Sequence, residues 1–342
     1  MKWYNSFDSN GIVLSTRIRL ARNIASYPFS PKLGETQRAA MLRDVRNAFE
    51  RYGTSMYNYI DVSSKSIEER QALVEEHIIS RDFAVMPSSE KRLLVYDENG
   101  SVSVMVGEED HLRIQAVRPS LALDEAYKAA SYVDDILSKG IEYAFSPSLG
   151  YLTCCPSNTG TGLRASCMLH LPMITRNGYI KDVIEFCSKL GLTVRGFYGE
   201  GSKAEGELYQ VSNQITMGIS EEDTLLRLQD AVKAIAGKEI ALRKQLENAS
   251  EAVKDKLWRS YGILSFARSV STAEFLTLWS DCMLGKCTGI LDKLEGKNLV
   301  RLLIECMPSH ITLSGYNIDT AEKRDATRAD KIREFLSQNH DE

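Results

Sequence analysis

The segment from Lys91 to Val117 limits the fold of this chain more than any other part of it. It holds three apolar runs, RLLVYD (92–97), SVSVMV (101–106) and HLRIQAV (111–117), with the turn Glu98-Asn99-Gly100 after the first. Parallel strands need a crossover of about a dozen residues or more, and no linker that long separates these runs. They read as consecutive antiparallel strands closed by a tight turn. Helical periods surround them. Residues 36–52 place Met41, Val45 and Phe49 at fourfold spacing, with Gly53 past the end. Further helices are expected over Ile67 to His77, Ser120 to Lys139 and Tyr179 to Leu190. YLTCC (151–155), LTVRGF (192–197) and LYQVSNQIT (208–216) read as strands. The fold class is therefore α+β, an antiparallel sheet flanked by helices.

After Ser220 the pattern is almost wholly helical. Leu225, Leu228, Val232 and Ile235 form one stripe, and Ser271 with Glu274 makes a capping box. We expect a boundary near residue 250, with a mixed body over 1–250 and a helical C-terminal domain over 251–342 that contains Trp258 and Trp279. A chain of 342 residues has room for two such domains. Its 42 Lys and Arg against 46 Asp and Glu leave a net charge of −4, too near neutral for a nonspecific nucleic-acid binder. No apolar run reaches the ~18 residues a membrane span needs. The first residues lack the apolar core of a signal peptide, so no membrane partner and a cytoplasmic location are expected. Seven cysteines, an odd number, fit reduced thiols. Cys282 and Cys287 have no second pair or histidine beside them, so no zinc site is expected.

Four segments carry chemistry. In Ser15-Thr16-Arg17-Ile18-Arg19 a strand puts both guanidinium groups on one face. Such a pair suits phosphate oxygens, or else a salt-bridged edge. In Gly107-Glu108-Glu109-Asp110-His111-Leu112-Arg113, three consecutive acids at a strand end cannot all face one way. At least one must face the opposite surface, where a carboxylate can act as a base or grip a cation, although a charged turn also explains them. Cys155 opens the loop Pro156-Ser157-Asn158-Thr159-Gly160-Thr161-Gly162-Leu163-Arg164, whose small residues expose backbone N–H groups at an expected helix start. It is not a Walker loop, because no Gly-Lys-Ser/Thr ends it. Arg195 through Ser202 carries three glycines, a loop suited to closing over a ligand or a plain hairpin.

Together these segments resemble the ATP:guanidino phosphotransferases, or phosphagen kinases, and most closely their bacterial protein arginine kinase branch. The likeness covers roughly residues 12–220, and the CPSNTGTGLRA loop carries most of its specificity. It implies a glutamine synthetase-like catalytic fold, with ATP and Mg²⁺ as cofactors and no protein metal ligands named. The first nucleotide-binding stretch would be Ser15, Thr16, Arg17, Ile18 and Arg19, joined by Arg113, with His77 near the adenine. Arg164, Ala165, Ser166, Cys167 and Met168 match the second stretch, and Arg195, Gly196, Phe197, Tyr198, Gly199 and Glu200 the third. Glu109 falls on the catalytic glutamate, Glu200 on the loop glutamate of arginine-specific members, and Cys155 on the substrate-side cysteine.

The sequence departs from the family in two places. Animal phosphagen kinases carry a helical domain of about a hundred residues before the first arginine motif. Only fourteen residues precede Ser15 here, which disfavours closure over a free amino acid. Gly107 stands where many members have asparagine. The tail string Arg324-Asp325-Ala326-Thr327-Arg328-Ala329 reads as a helix-internal Asp–Arg pair. It also resembles the phosphoarginine-binding motif of the protein arginine kinases, which implies an allosteric site at Arg324, Asp325, Arg328 and Ala329. The branch further implies protein substrates bound through arginine side chains, an activator protein, a Clp ATPase/protease partner, a role in stress response and a homodimer. A small-guanidine kinase and a noncatalytic phosphoarginine adaptor are the alternatives.

Overall fold

The computed structural model describes residues 2–6, 8–53, 57–85, 87, 90–196, 205–248, 250–315 and 317–338. The chain runs through β1 (Val13–Arg22), α1 (Glu35–Tyr52), β2 (Tyr57–Asp61), α2 (Ile67–Glu75), a short α3 (Arg81–Val85), β3 (Leu93–Asp97), β4 (Val102–Val106), β5 (Leu112–Pro119) and α4 (Leu123–Ser138). The small ladder β6 (Phe145–Ser146) and β7 (Gly150–Tyr151) precedes β8 (Leu163–His170), α5 (Pro172–Arg176), α6 (Ile180–Lys189), β9 (Leu192–Gly196) and β10 (Leu208–Asn213). Helices complete the chain: α7 (Glu221–Lys244), α8 (Glu251–Phe266), α9 (Thr272–Cys287), α10 (Leu299–Glu305), α11 (Pro308–Leu313) and α12 (Ala321–Ser337).

Among the described residues the main sheet has the order β2-β3-β4-β5-β1-β8-β10-β9. The meander read from residues 91–117 is present, with β2, β3, β4 and β5 pairing antiparallel in turn. Its register sets Ser103 opposite Gln115 and Met105 opposite Arg113. Period 2 then puts Arg113 and Gln115 on one face of β5 and Leu112, Ile114 and Ala116 on the other.

The chain divides into two compact units. One comprises residues 1–3, 16–166 and 212–229; the other comprises 4–15, 167–211 and 230–342. In the first, Val62, Ile78, Ile79, Phe83, Leu94 and Met105 form an apolar cluster under the helical turn between α2 and β3. Helix α4 buries Ala126, Ala130, Val133 and Leu137, an i, i+4, i+7, i+11 stripe. In the second, α9 is buried from Phe275 to Gly285 except at Thr277, and it buries Trp279, whose Nε1 donates to Leu299 O at 2.7 Å. Among the described residues no helix is long and apolar enough to cross a membrane. All seven cysteines lie among the described residues, and none is joined in a disulfide.

Two local expectations fail. YLTCC is not a strand of the main sheet: only Gly150–Tyr151 is extended, paired to Phe145–Ser146, and Pro156–Asn158 is a 3₁₀ turn. The glycine-rich loop leads into strand β8, not into a helix. LRASCMLH is buried at almost every position, so its strand period leaves no polar face to read.

Candidate active site

Strand β1 alternates as the sequence requires. Ile18 and Leu20 are fully buried, while Arg17 and Arg19 are half-buried on the opposite face. Thr16 anchors the strand, donating its hydroxyl to Ser120 O at 2.7 Å and accepting from Ala122 N at 3.1 Å. Arg113 on β5 and Arg164 on β8 bring two more guanidinium groups into the same unit. Arg17 and Arg19 feel the charge of the other two. Arg17 is pushed down to about 10 by burial, then by Arg113 and Arg164. Arg19 is held well below the usual arginine range, by burial first and then by Arg17, Arg113 and Arg164. Arginine does not give up its proton at neutral pH, so this group of buried like charges suits an anion. Arg19 Nε is buried without a hydrogen-bond partner.

The acidic run splits by burial. Glu108 is buried: its Oε1 accepts from Ser80 Oγ, and its Oε2 lies 2.8 Å from Arg113 Nε. Burial raises its pKa against the pull of Arg113. Glu109 leaves the body, with a side chain 47% exposed and Oε2 3.8 Å from Arg113 Nη2. Asp110 is buried, and its Oδ1 accepts from both Asn23 Nδ2 and Cys154 N at 2.7 Å. That second bond ties the acidic turn to the Cys155 loop. His111 completes the turn: its Nδ1 accepts from Ile24 N at 3.0 Å, which leaves Nε2 to donate to Pro28 O at 2.9 Å. Gly107, the departure from asparagine, has φ +88, a conformation that glycine and asparagine tolerate better than other residues.

The loop itself is tightly bonded. Thr153 Oγ1 donates to Cys155 O at 2.8 Å, and Thr216 Oγ1 bonds Ser157 O and Thr159 O. A Cβ on Gly160 would fall 2.2 Å from Thr216 O, so this approach requires glycine. Cys155 Sγ is 3.0 Å from Ser157 Oγ. Burial and Asp110 push the neighbouring Cys154 thiol up to about 11.

His77 follows α2 at φ +61, with its carbonyl accepting from Gln115 Nε2 at 2.6 Å. Burial, Arg17 and Arg81 push its imidazole down to about 3, so it is neutral at physiological pH. Several other residues of the matched stretches are buried. Ile18, Ala165 and Cys167 lie in the core, Ser166 Oγ donates to Arg17 O at 3.4 Å, and Met168 is buried. Arg195 and Gly196 end β9 in the second unit. Phe197, Tyr198, Gly199 and Glu200 lie outside the described residues. In α12, Arg328 is buried and makes three hydrogen bonds: Nε to Cys306 O, and Nη1 to Val270 O and to Asp325 Oδ1. Arg324 is half-buried and Ala329 fully buried on the same helix.

Sequence reasoning missed Trp3, Asn23 and Ser80, each of which holds a residue far along the chain, and it read Glu108 and Asp110 only as members of the acidic run.

Four coupled arginines, one with an orphaned buried donor, fit a polyphosphate chain. Among the described residues no three His, Cys, Asp or Glu are grouped to hold a metal ion.

A sequence model of the ATP:guanido phosphotransferase C-terminal catalytic domain matches residues 40–242, a span that includes His77, Glu109, Arg113, Cys155, Arg164, Arg195 and Glu200. A model of the protein-arginine kinase McsB C-terminal domain matches residues 250–342. The chain is 39% identical to the protein-arginine kinase of Clostridium kluyveri over 98% of its own length and 99% of that protein's. It is 40% identical to the protein-arginine kinase of Desulforamulus reducens, over 98% and 95%. Among solved structures, a lombricine kinase superposes with a TM-score of 0.61 at 25% identity, covering 70% of this chain and 69% of that one. The duplicated taurocyamine kinase from Schistosoma mansoni, with transition state analog components bound, gives 0.61 at 27% identity over 80% of this chain and 40% of its own. With the arginine cradle, the acidic turn and the CPSNTGTGLRA loop in one unit and both family models matched in order, this chain belongs to the ATP:guanido phosphotransferase family and is a phosphotransferase that carries the C-terminal domain of its protein-arginine kinase branch.

Proposed function

We propose that this enzyme transfers the γ-phosphoryl group of ATP to arginine side chains in proteins. One observation carries the reading: Arg17, Arg19, Arg113 and Arg164 share one unit with an exposed carboxylate, Glu109, which lies 3.8 Å from Arg113 and is flanked by buried Glu108 and Asp110. The relatives' printed activity and the matched C-terminal domain support the choice of a protein substrate over a free guanidine.

The chemistry accounts for these residue types. A guanidinium has a pKa of about 12.5 to 13.8, so deprotonating it in advance at pH 7 costs about 8 kcal/mol, at 1.36 kcal/mol per unit over about six units. A carboxylate cannot do that. As the N–P bond forms the nitrogen acidifies, and Glu109 then takes the proton while orienting the substrate. Glu200 would grip the other guanidinium nitrogens. The arginines hold the phosphate chain in line and spread the charge that develops on the transferred group, a task that needs placement more than covalent help. Mg²⁺ would sit on phosphate oxygens and supply further charge neutralisation. Cys155, hydrogen-bonded to Ser157, tunes the local charge without forming a covalent intermediate.

In this reading residues 1–250 form the catalytic domain. Residues 251–342 form a helical domain with a regulatory phosphoarginine site at Arg324, Asp325, Arg328 and Ala329 and a homodimer contact. Marking of proteins for a Clp protease, control by an activator protein, a part in stress response and a cytoplasmic location follow from the family likeness. The test is incubation with ATP and Mg²⁺ of an arginine-rich protein or of free arginine, read by mass spectrometry for acid-labile phosphoarginine. Modified protein with little free phosphoarginine is expected. Turnover of free arginine alone would favour the small-guanidine kinase, and no turnover of either would favour an adaptor.

A further inference from the structure

The N-terminal segment closes over the turn that carries His77. Trp3 is 4% exposed, and its indole stacks on the imidazole with ring centroids 5.0 Å apart and planes 12° from parallel. Indole Nε1 donates to Glu76 O at 2.9 Å, and Lys2 Nζ lies 2.6 Å from Glu76 Oε1. From the other side Gln115 Nε2 donates to the carbonyls of His77 and Ile78, and Ser103 Oγ donates to Ile78 O. The histidine is therefore held at its backbone by Gln115 of β5 and at its ring by Trp3.

This bracing has a direction. Gln115 shares a face of β5 with Arg113, so the turn it holds sits on the arginine-bearing side of the sheet. Burial first, and then the charges of Arg17 and Arg81, keep the imidazole neutral. A neutral, flat imidazole with its plane set by an indole makes a platform for another flat, neutral ring, because offset stacks of this kind favour a defined plane and separation. The left-handed backbone of His77 is an uncommon conformation for a non-glycine residue and points to a position the fold over-determines.

We propose that Trp3 is a positioning residue for the purine base of ATP: it acts through His77, fixing the imidazole plane against which the base is read. The inference rests on the nucleotide-site reading above and adds the N-terminal segment to it.

Three substitutions separate stacking from packing. Trp3→Leu keeps buried apolar bulk without a flat ring, Trp3→Phe restores a ring, and Trp3→Ala removes both. Steady-state kinetics would be measured with ATP and GTP, together with competition by inorganic tripolyphosphate, which has phosphates and no base. We expect Trp3→Leu to raise KM for ATP about tenfold, to change kcat by less than about twofold and to narrow the preference between ATP and GTP. Its inhibition by tripolyphosphate stays that of the unaltered enzyme. Trp3→Phe returns KM to within about threefold. Equal behaviour of the leucine and phenylalanine variants, or equal weakening of ATP and tripolyphosphate, would reduce Trp3 to a packing residue and overturn the proposal. If tripolyphosphate fails to compete with ATP on the unaltered enzyme, the arginine cradle itself is misassigned, an outcome distinct from failure at Trp3.

Discussion

Glu108 Oε2 lies 2.8 Å from Arg113 Nε, both groups largely shielded from water, while the next residue along, Glu109, extends outward with its side chain 47% exposed. Two adjacent carboxylates thus have opposite environments. The buried one orients a guanidinium, and the exposed one is open to solvent. The left-handed turn at Gly107 and the anchors on Asp110 set this division.

Replacing each with glutamine separates the roles. Glu109→Gln removes a proton acceptor, and general-base losses run to about 10² to 10⁴ in rate. We expect kcat to fall by about 10³ with KM for ATP and thermal stability unchanged. Glu108→Gln takes the partner from a mostly buried Arg113, a class of change that costs about 3 kcal/mol. Its signature is a lower Tm and a raised KM for ATP. Calorimetry and kinetics on the two variants check this, and interchange of the two phenotypes would reverse the assignment.

The arginine cradle makes a prediction in the absence of turnover. Like charges in one pocket repel, so an anion that fills it stabilises the fold, by about 2.7 kcal/mol at a hundred times its Kd. Tripolyphosphate should raise Tm, and the gain should shrink as salt is added, as expected for a partly screened electrostatic site. Arg19→Ala should lose most of the gain while leaving the ligand-free Tm level or higher, since Arg19 is held well below the usual arginine range by burial and by its three neighbours. A thermal shift that persists in this variant counts against the cradle.

The pH dependence of stability carries the mark of His77. Its folded pKa, about 3, lies below the ordinary value of 6.5. Between those values the unfolded chain binds the proton and the folded chain does not. Stability from this group is therefore complete above pH 6.5 and is lost on acidification, by at most about 1.4 kcal/mol per pH unit. His111 and His170 are shifted in the same direction by burial, so the native slope is a sum. His77→Asn, which tolerates the left-handed backbone, should remove about 2 kcal/mol of the stability lost between pH 7 and pH 5. Urea titrations at the two pH values measure it, and an unchanged difference would falsify the buried neutral state.

Much of this site was legible because it lies on elements whose period is simple. Arg17 and Arg19 share a face because they stand two apart in a strand, and the antiparallel meander follows from its short linkers. The buried strand β8 was not legible as a continuation of the glycine-rich loop, because apolar residues on both of its faces erase the alternation. The holding residues were not legible for a different reason. Ser80 on Glu108, Asn23 on Asp110 and Trp3 on His77 are contacts between positions 28 to 87 residues apart, and no local pattern encodes such a pairing.

The tail motif needs a test that separates fold from signal. Arg328 is 1% exposed, and it bonds Val270 O at 2.7 Å, Cys306 O at 2.9 Å and Asp325 Oδ1 at 2.6 Å, holding α12 to the segments before α9 and after α10. Arg328→Ala leaves two buried carbonyls unpaired, at about 1 to 3 kcal/mol each, so we expect a lower Tm whatever the motif does. Loss of regulation in that variant is then uninformative. Arg324 is half-buried one turn earlier on the same helix, and Arg324→Ala should leave Tm within a degree or two. If the tail binds phosphoarginine, Arg324→Ala weakens binding of free phosphoarginine measured by calorimetry and removes its effect on kinase rate. Binding and rate response equal to those of the unaltered enzyme, at unchanged Tm, would leave the motif a structural clasp on α12.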